Sequence, residues 1–141
     1  MDMDMDTDEL LNTLKDENIE KFPKELFKDI KVDAVKYLND LLKAHNVTVK
    51  ELIPKLDYDR SYIYQMFNGT RTPTRVFVLR LAVLLRLDYN ETQKLLFVTG
   101  NTLLYPKIQF DAVMIYSLER HLSEQEIEEL LKENHEKSLF W

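Results

Sequence analysis

The chain has 141 residues, 45% of them apolar, with 2 Gly, 4 Pro, no Cys and a net charge of −6. That length suits one domain with an additional arm. The scarcity of glycine and proline argues against sandwiches and barrels and favours helices joined by short links, and the absence of cysteine excludes disulfides, thiolate metal sites and a cysteine nucleophile.

The chain begins "MDMDMDTDEL", which lacks the basic stretch and apolar run of a signal peptide. Its first six residues alternate Met and Asp with nothing to pack against and are expected to be disordered. Thr7 can cap a helix with Leu10, Leu11 and Leu14 on one face. Phe22, Leu26, Phe27 and Ile30 follow around Pro23, a residue suited to the first turn of a helix. Residues 1–32 thus form an acidic, amphipathic N-terminal arm fitted to packing or to a partner.

Asp33 opens a clearer helix, with Val35, Leu38, Leu41 and Leu42 on one face, ending at "AHN" (44–46). Thr48 and Glu51 form a capping box for the next helix, whose apolar side is Leu52, Ile53 and Leu56. Pro54 inside it removes a backbone hydrogen bond and is expected to kink it. Asp59 caps a third helix with Ile63 and Met66 inward, and "NG" (68–69) stops it, because these residues tolerate the left-handed conformation. Pro73 sets up "TRVFVLRLAVLLRL" (74–87), apolar almost all round and in need of cover on several sides. Asn90 and Gln93 read as another capping box, for a helix that reaches Gly100. A loop with Pro106 leads to a helix through Ala112, Ile115, Leu118 and Leu122. Ser123 and Glu126 cap the last one, which carries Ile127, Leu130 and Leu131. The final "SLFW" is apolar, and docking and remaining loose are both open to it. The prediction is an all-α protein of about seven helices, with 33–134 as one packed unit.

Charge is unevenly spread. Residues 1–31 hold 5 Lys and 10 Asp or Glu, and residues 119–141 hold 3 Lys or Arg and 7 Glu. The window 59–86 instead holds Arg60, Arg71, Arg75, Arg80 and Arg86 against Asp59 alone. For a polyanion the local face matters, not the total. Arg80 and Arg86 belong to an otherwise apolar helix and are expected to pair with acidic residues of the termini. Arg60 and Arg71 bracket one surface.

Two short helices joined at "LDYD" (56–59) have the spacing of a helix-turn-helix, with Leu52, Ile53, Leu56, Tyr58, Ile63 and Met66 facing inward. The exposed face then holds Arg60, Ser61, Tyr64 and Gln65, flanked by Tyr62 and Phe67. Gln can contact adenine bidentately, Arg guanine, Ser several acceptors, and Tyr a thymine methyl or a phosphate. Either Tyr62 or Tyr64 could instead pack its ring against a neighbouring helix and keep a wet tip.

The stretch "VTVKELIPKLDYDRSYIYQMFNGTRTPTRVFVLRLAVLLRL" (47–87) resembles the lambda-repressor-like (XRE family) helix-turn-helix proteins. It shares their capped helix, the helix-turn-helix, the "NG", a basic residue, and "P-[ST]" before an apolar helix. The resemblance implies a lambda-repressor-like bundle with additional N- and C-terminal helices. It implies a DNA-binding region at 33–88 and a helical extension at 89–141 packed on it, as in some bacterial or phage regulators. It also implies that Arg60, Ser61, Tyr64 and Gln65 read base edges. Thr48, Asn68 and Arg71 then lie near phosphates, with Tyr62 on the same backbone track. The expected partner is double-stranded DNA, bound by a homodimer. The alternative is an antitoxin or protein-interaction module on the same fold, with a protein partner at the acidic arm. A ligand-responsive sensor rests only on the size of the extension.

Other signals are structural. His45, His121 and His135 lack metal-ligand spacing, and "EQEIEELLKE" (124–133) suits a solvated acidic face. No nucleophile elbow, phosphate loop or metal motif occurs, so neither enzyme activity nor a cofactor is expected. The apolar-rich stretch 76–87 is interrupted by Arg80 and Arg86 and is too short to span a bilayer. No membrane partner is expected, and a cytoplasmic location is.

Overall fold

The computed structural model describes residues 7–18, 20–27 and 30–140. The expected disorder of residues 1–6 and the fate of Trp141 lie outside the described residues, as do the side chains of Leu26, Phe27 and Ile30. The described residues form α1 (Thr7–Lys15), a 3-10 turn (Lys24–Phe27), α2 (Ile30–Ala44), α3 (Val49–Leu56) and α4 (Arg60–Asn68). They continue with α5 (Arg75–Leu84), α6 (Tyr89–Val98), α7 (Gln109–Glu119) and α8 (Glu124–Glu133). No strand occurs among them, so the class is all-α. No described helix is long and apolar enough to cross a membrane.

Sequence-coded caps set several of these boundaries. Thr48 and Glu51 make the expected reciprocal box at the start of α3, and Ser123 and Glu126 do so at α8. At α6 the box is Asp88 with Glu91, not Asn90 with Gln93. Asp88 Oδ1 accepts the Glu91 N–H at 2.8 Å, so the same chemistry acts two residues earlier. Gln93 instead pins the following loop, exchanging hydrogen bonds with the Leu104 backbone at 2.8 and 3.1 Å. Two further boundaries move. α2 starts at Ile30, not Asp33, since nothing in 30–32 breaks a helix, so the arm's expected boundary falls inside it. Pro23 precedes only a 3-10 turn. α3 continues past the exposed Pro54 to Leu56 as one helix.

α5 is the centre of the molecule. Phe77, Val78, Leu79, Leu81, Ala82 and Val83 are all buried, as its all-round apolar pattern requires. Each such large side chain contributes roughly 1.5–3 kcal/mol by leaving water. α3 packs on one side of α5 and α6 on another, while α2 spans α4 and α6. α7 packs on α6 and α8 on α7. One continuous buried cluster runs from Leu38 through Ile63, Phe77 and Leu95 to Leu131 and Phe140. The segment 138–140 is therefore docked, with Leu139 and Phe140 in the core.

The arginines of the central window divide sharply. Arg75 grips the buried Asp111 carboxylate with two nitrogens, at 2.9 and 3.1 Å, and also donates to the Thr102 and Leu103 carbonyls. Arg80 does not pair with an acidic residue. It donates to the carbonyls of Leu139 at 2.7 Å and Leu56 at 2.8 Å, because from its half-buried position it reaches a helix-end carbonyl and a tail carbonyl that need donors. Arg86 is exposed in a left-handed conformation past the end of α5, and among the described residues it forms no ion pair. His121 and His135 take the same left-handed position beyond α7 and α8, so their role is to end helices.

Candidate nucleic-acid interface

α4 is positioned from three sides. Ile63, Met66 and Phe67 turn inward, and Phe67 meets Phe77 edge-on at 5.9 Å. Phe67 is thus core, not a flank of the exposed face. At the C-terminal end, Asn39 of α2 donates to the Phe67 carbonyl at 2.9 Å. Gly69 then reverses the chain at φ +87°, where a Cβ would meet Val35 Cγ2 at 2.9 Å. Only glycine satisfies both the left-handed backbone and that close approach. At the N-terminal end Asp59 occupies the cap position, yet its side chain makes no capping hydrogen bond. Its backbone, at φ −58° and ψ 140°, departs from the helix there.

With 63, 66 and 67 inside, helical periodicity turns Ser61, Gln65 and Asn68 directly outward and puts Arg60 and Tyr64 beside them. Ser61, Tyr64 and Asn68 are exposed, and Gln65 is half-buried. Arg60 lies 6.0 Å from the Tyr64 ring centre, so the pair forms one rim of the face. Tyr62 forms the other rim. Its ring stacks on Tyr58 at 5.1 Å, which settles the choice between the tyrosines: Tyr62 leans on the core and Tyr64 faces solvent.

The turn after α4 brings Arg71 back onto this face. The Arg71 N–H donates to the Gln65 carbonyl at 3.1 Å, a return over six residues that follows from the left-handed Gly69. The Asn68 carboxamide accepts the Thr70 N–H at 2.9 Å and stiffens the same turn. The Arg71 guanidinium then lies over Tyr62 at 5.1 Å and donates to Gln65 Oε1 at 2.5 Å. Ser61, Tyr62, Gln65 and Arg71 line one shallow, open depression together with Tyr58 and Asp59.

Six of the eight residues expected at DNA are therefore on or beside one helix face: Arg60, Ser61, Tyr62, Tyr64, Gln65 and Asn68. Arg71 joins them by the turn. Thr48 stands apart at the start of α3, where its hydroxyl exchanges hydrogen bonds with Glu51. The Glu51 carboxyl is held below the usual range, first by the Thr48 backbone N–H and then by the Thr48 hydroxyl. Sequence reasoning did not include Asp59 and Tyr58 among the lining residues. The signal for Tyr58 was present, since an aromatic residue four positions before Tyr62 can stack on it.

Electrostatically the face is mixed. Among the described residues no carboxylate forms an ion pair with Arg60 or Arg71. Asp59 puts one negative charge into the depression. A groove of this kind can take a polyanion along the Arg60 and Arg71 rims. Asp59, Ser61 and Gln65 supply acceptors and donors between those rims. Comparison of the chain with protein-family models, with curated proteins and with solved structures finds no match.

Proposed function

We propose that this protein is a sequence-specific, double-stranded DNA-binding transcriptional regulator. In this reading α3 and α4 act as a lambda-repressor-like helix-turn-helix, and α4 enters the major groove. The observation that carries it is the outward face of α4: Ser61, Tyr64, Gln65 and Asn68 turned away from the core, with Arg60 and Arg71 at its edges and no carboxylate ion-paired to either among the described residues. Arginine contacts to phosphate fix the register, and Gln65, Ser61 and Arg60 discriminate bases. One short helix covers few base pairs. The reading therefore includes a homodimer on a palindrome with half-sites about 34 Å apart or a multiple of it.

Selection of bound DNA from a random pool tests this directly. The expected product is a palindromic sequence whose affinity falls linearly with log salt. A chain that retains no DNA at low salt would sink the reading.

A second reading is favoured by the arm. α1 leaves Leu11 and Leu14 exposed on an acidic segment, and Phe22 is two-thirds exposed at 67%. Such a strip suits a protein partner with a basic rim, as an antitoxin or interaction module would have. Co-purification of a small basic protein, together with failure in the DNA selection, supports this reading over the first.

A further inference from the structure

The candidate interface is joined to α8 and the segment 138–140 by an unbroken series of contacts. It starts at Glu128 on α8. That carboxylate accepts the backbone N–H groups of Leu139 at 2.9 Å and Phe140 at 3.0 Å, and also the Ser138 hydroxyl. Leu139 and Phe140 are each 2% exposed. The segment is thus seated as a bound peptide is, by main-chain hydrogen bonds and two buried side chains. Its Leu139 carbonyl receives the Arg80 Nε at 2.7 Å, and the Phe140 ring centre lies 5.8 Å from the same guanidinium.

Arg80 turns that seat into a link. Its Nη1 donates at 2.8 Å to the carbonyl of Leu56, the last residue of α3, which has no partner within the helix. Its plane lies over Tyr58 at 4.8 Å. Arg80 therefore holds both sides of Asp57, the left-handed residue at which the chain turns from α3 towards α4. From Tyr58 the contacts continue to Tyr62 at 5.1 Å, from Tyr62 to Arg71 at 5.1 Å, and from Arg71 to Gln65. A planar guanidinium is suited to this post. It can bridge two carbonyls with separate N–H groups while presenting its faces to rings, which an ammonium cannot.

We infer that Arg80 and the segment 138–140 form a positioning element for the α4 face. Seating of the segment against Glu128 sets the α3–α4 turn and, through Tyr58 and Tyr62, the placement of Arg71 and Gln65. Arg80, Glu128 and the segment 138–140 act on the face through Tyr58 and Tyr62 and are not among the residues assigned to it. The inference rests on the DNA-binding reading for its effect on affinity, but not for its effect on the face itself.

The test uses the full chain with Glu128→Gln and Phe140→Ala, compared with the unaltered protein. Glu128→Gln lies away from α4 and removes only the carboxylate that seats the segment, so it serves if Phe140→Ala fails to fold. Amide hydrogen exchange is expected to rise within 58–71 and 138–140, with α7 unchanged as the internal reference. Affinity for the selected DNA is expected to fall about 2- to 30-fold, the range for a residue acting through a packed network. The salt dependence keeps its slope, because no phosphate contact is removed. Faster exchange confined to 128–140 overturns the inference. So does a uniform rise over α2 to α8, since the segment then supports the whole fold and not this face. If the unaltered protein binds no DNA, the functional reading fails, and the exchange pattern still decides this one.

Discussion

Arg60 and Arg71 on the α4 face and Arg75 and Arg80 on α5 come from one cationic window, yet they have opposite fates. Arg75 gives four hydrogen bonds, two of them to the buried Asp111, and Arg80 is taken up by two carbonyls and two rings. Arg71 has one neutral side-chain partner and a tyrosine ring, and Arg60 has a tyrosine ring. A guanidinium taken up by a buried carboxylate or by separate backbone carbonyls is a structural member. One that rests on rings and an amide keeps its charge available to a phosphate. The difference lies in what the rest of the chain brings to each arginine, not in local sequence.

Breaking the structural side should have the largest effect. Asp111→Ala leaves Arg75 without its carboxylate and the Tyr105 N–H without its acceptor. Removing one partner of a buried pair costs about 3–5 kcal/mol. The lower end applies here because the Arg75 side chain is 28% exposed and can recruit water. Urea denaturation reads this loss. The folded fraction should still bind DNA with unchanged selectivity, and altered base preference would erase the distinction between the two arginine groups.

On the α4 side the first effect should be in discrimination. Gln65→Ala is expected to lose about 1–3 kcal/mol of preference at one or two base pairs, with little change in folding. It also releases Arg71 from its Gln65 bond, so binding to mixed DNA should persist. A competition gel shift separates these outcomes, and undiminished selectivity would remove Gln65 from the reading face.

Much of this face could be read from the sequence, and the exceptions have physical causes. Thr48 with Glu51, Asn68 with Gly69, and the inward Ile63 and Met66 are local signals, spaced no more than three residues apart, and the structure contains each of them. The hydrogen-bond partners of Arg75 and Arg80 lie between 24 and 59 residues away. No local pattern encodes them, and charge complementarity wrongly directed Arg80 towards an acid. Phe67 sits at the edge of the inward arc, and only the arrival of Phe77 from α5 decides that it is buried. Tyr62 is decided likewise by Tyr58 and Arg71.

Arg71→Ala sharpens the comparison further. Loss of a single phosphate contact should reduce the slope of log affinity against log salt by about 0.9, equally for all sequences. Stability should change little, since an exposed cation over a ring contributes roughly 0.5–1 kcal/mol. A change confined to one operator variant would make Arg71 a base reader instead.

The smallest expected effect concerns Thr48, where the helix cap and the proposed phosphate contact would use the same atoms. The Glu51 carboxylate accepts both the Thr48 N–H and its hydroxyl, and these bonds lower its pKa below the unfolded value. Its contribution to stability is therefore fully present above the unfolded carboxyl range and is lost as pH falls through the lowered folded value. The same carboxylate sets a negative charge beside a proposed phosphate contact. Glu51→Gln keeps a capping acceptor and removes the charge. It should flatten the acid limb of the stability profile in urea titrations and modestly raise DNA affinity at neutral pH. An unchanged affinity would leave Thr48 to the helix cap alone and confine the interface to α4 and the turn at Arg71.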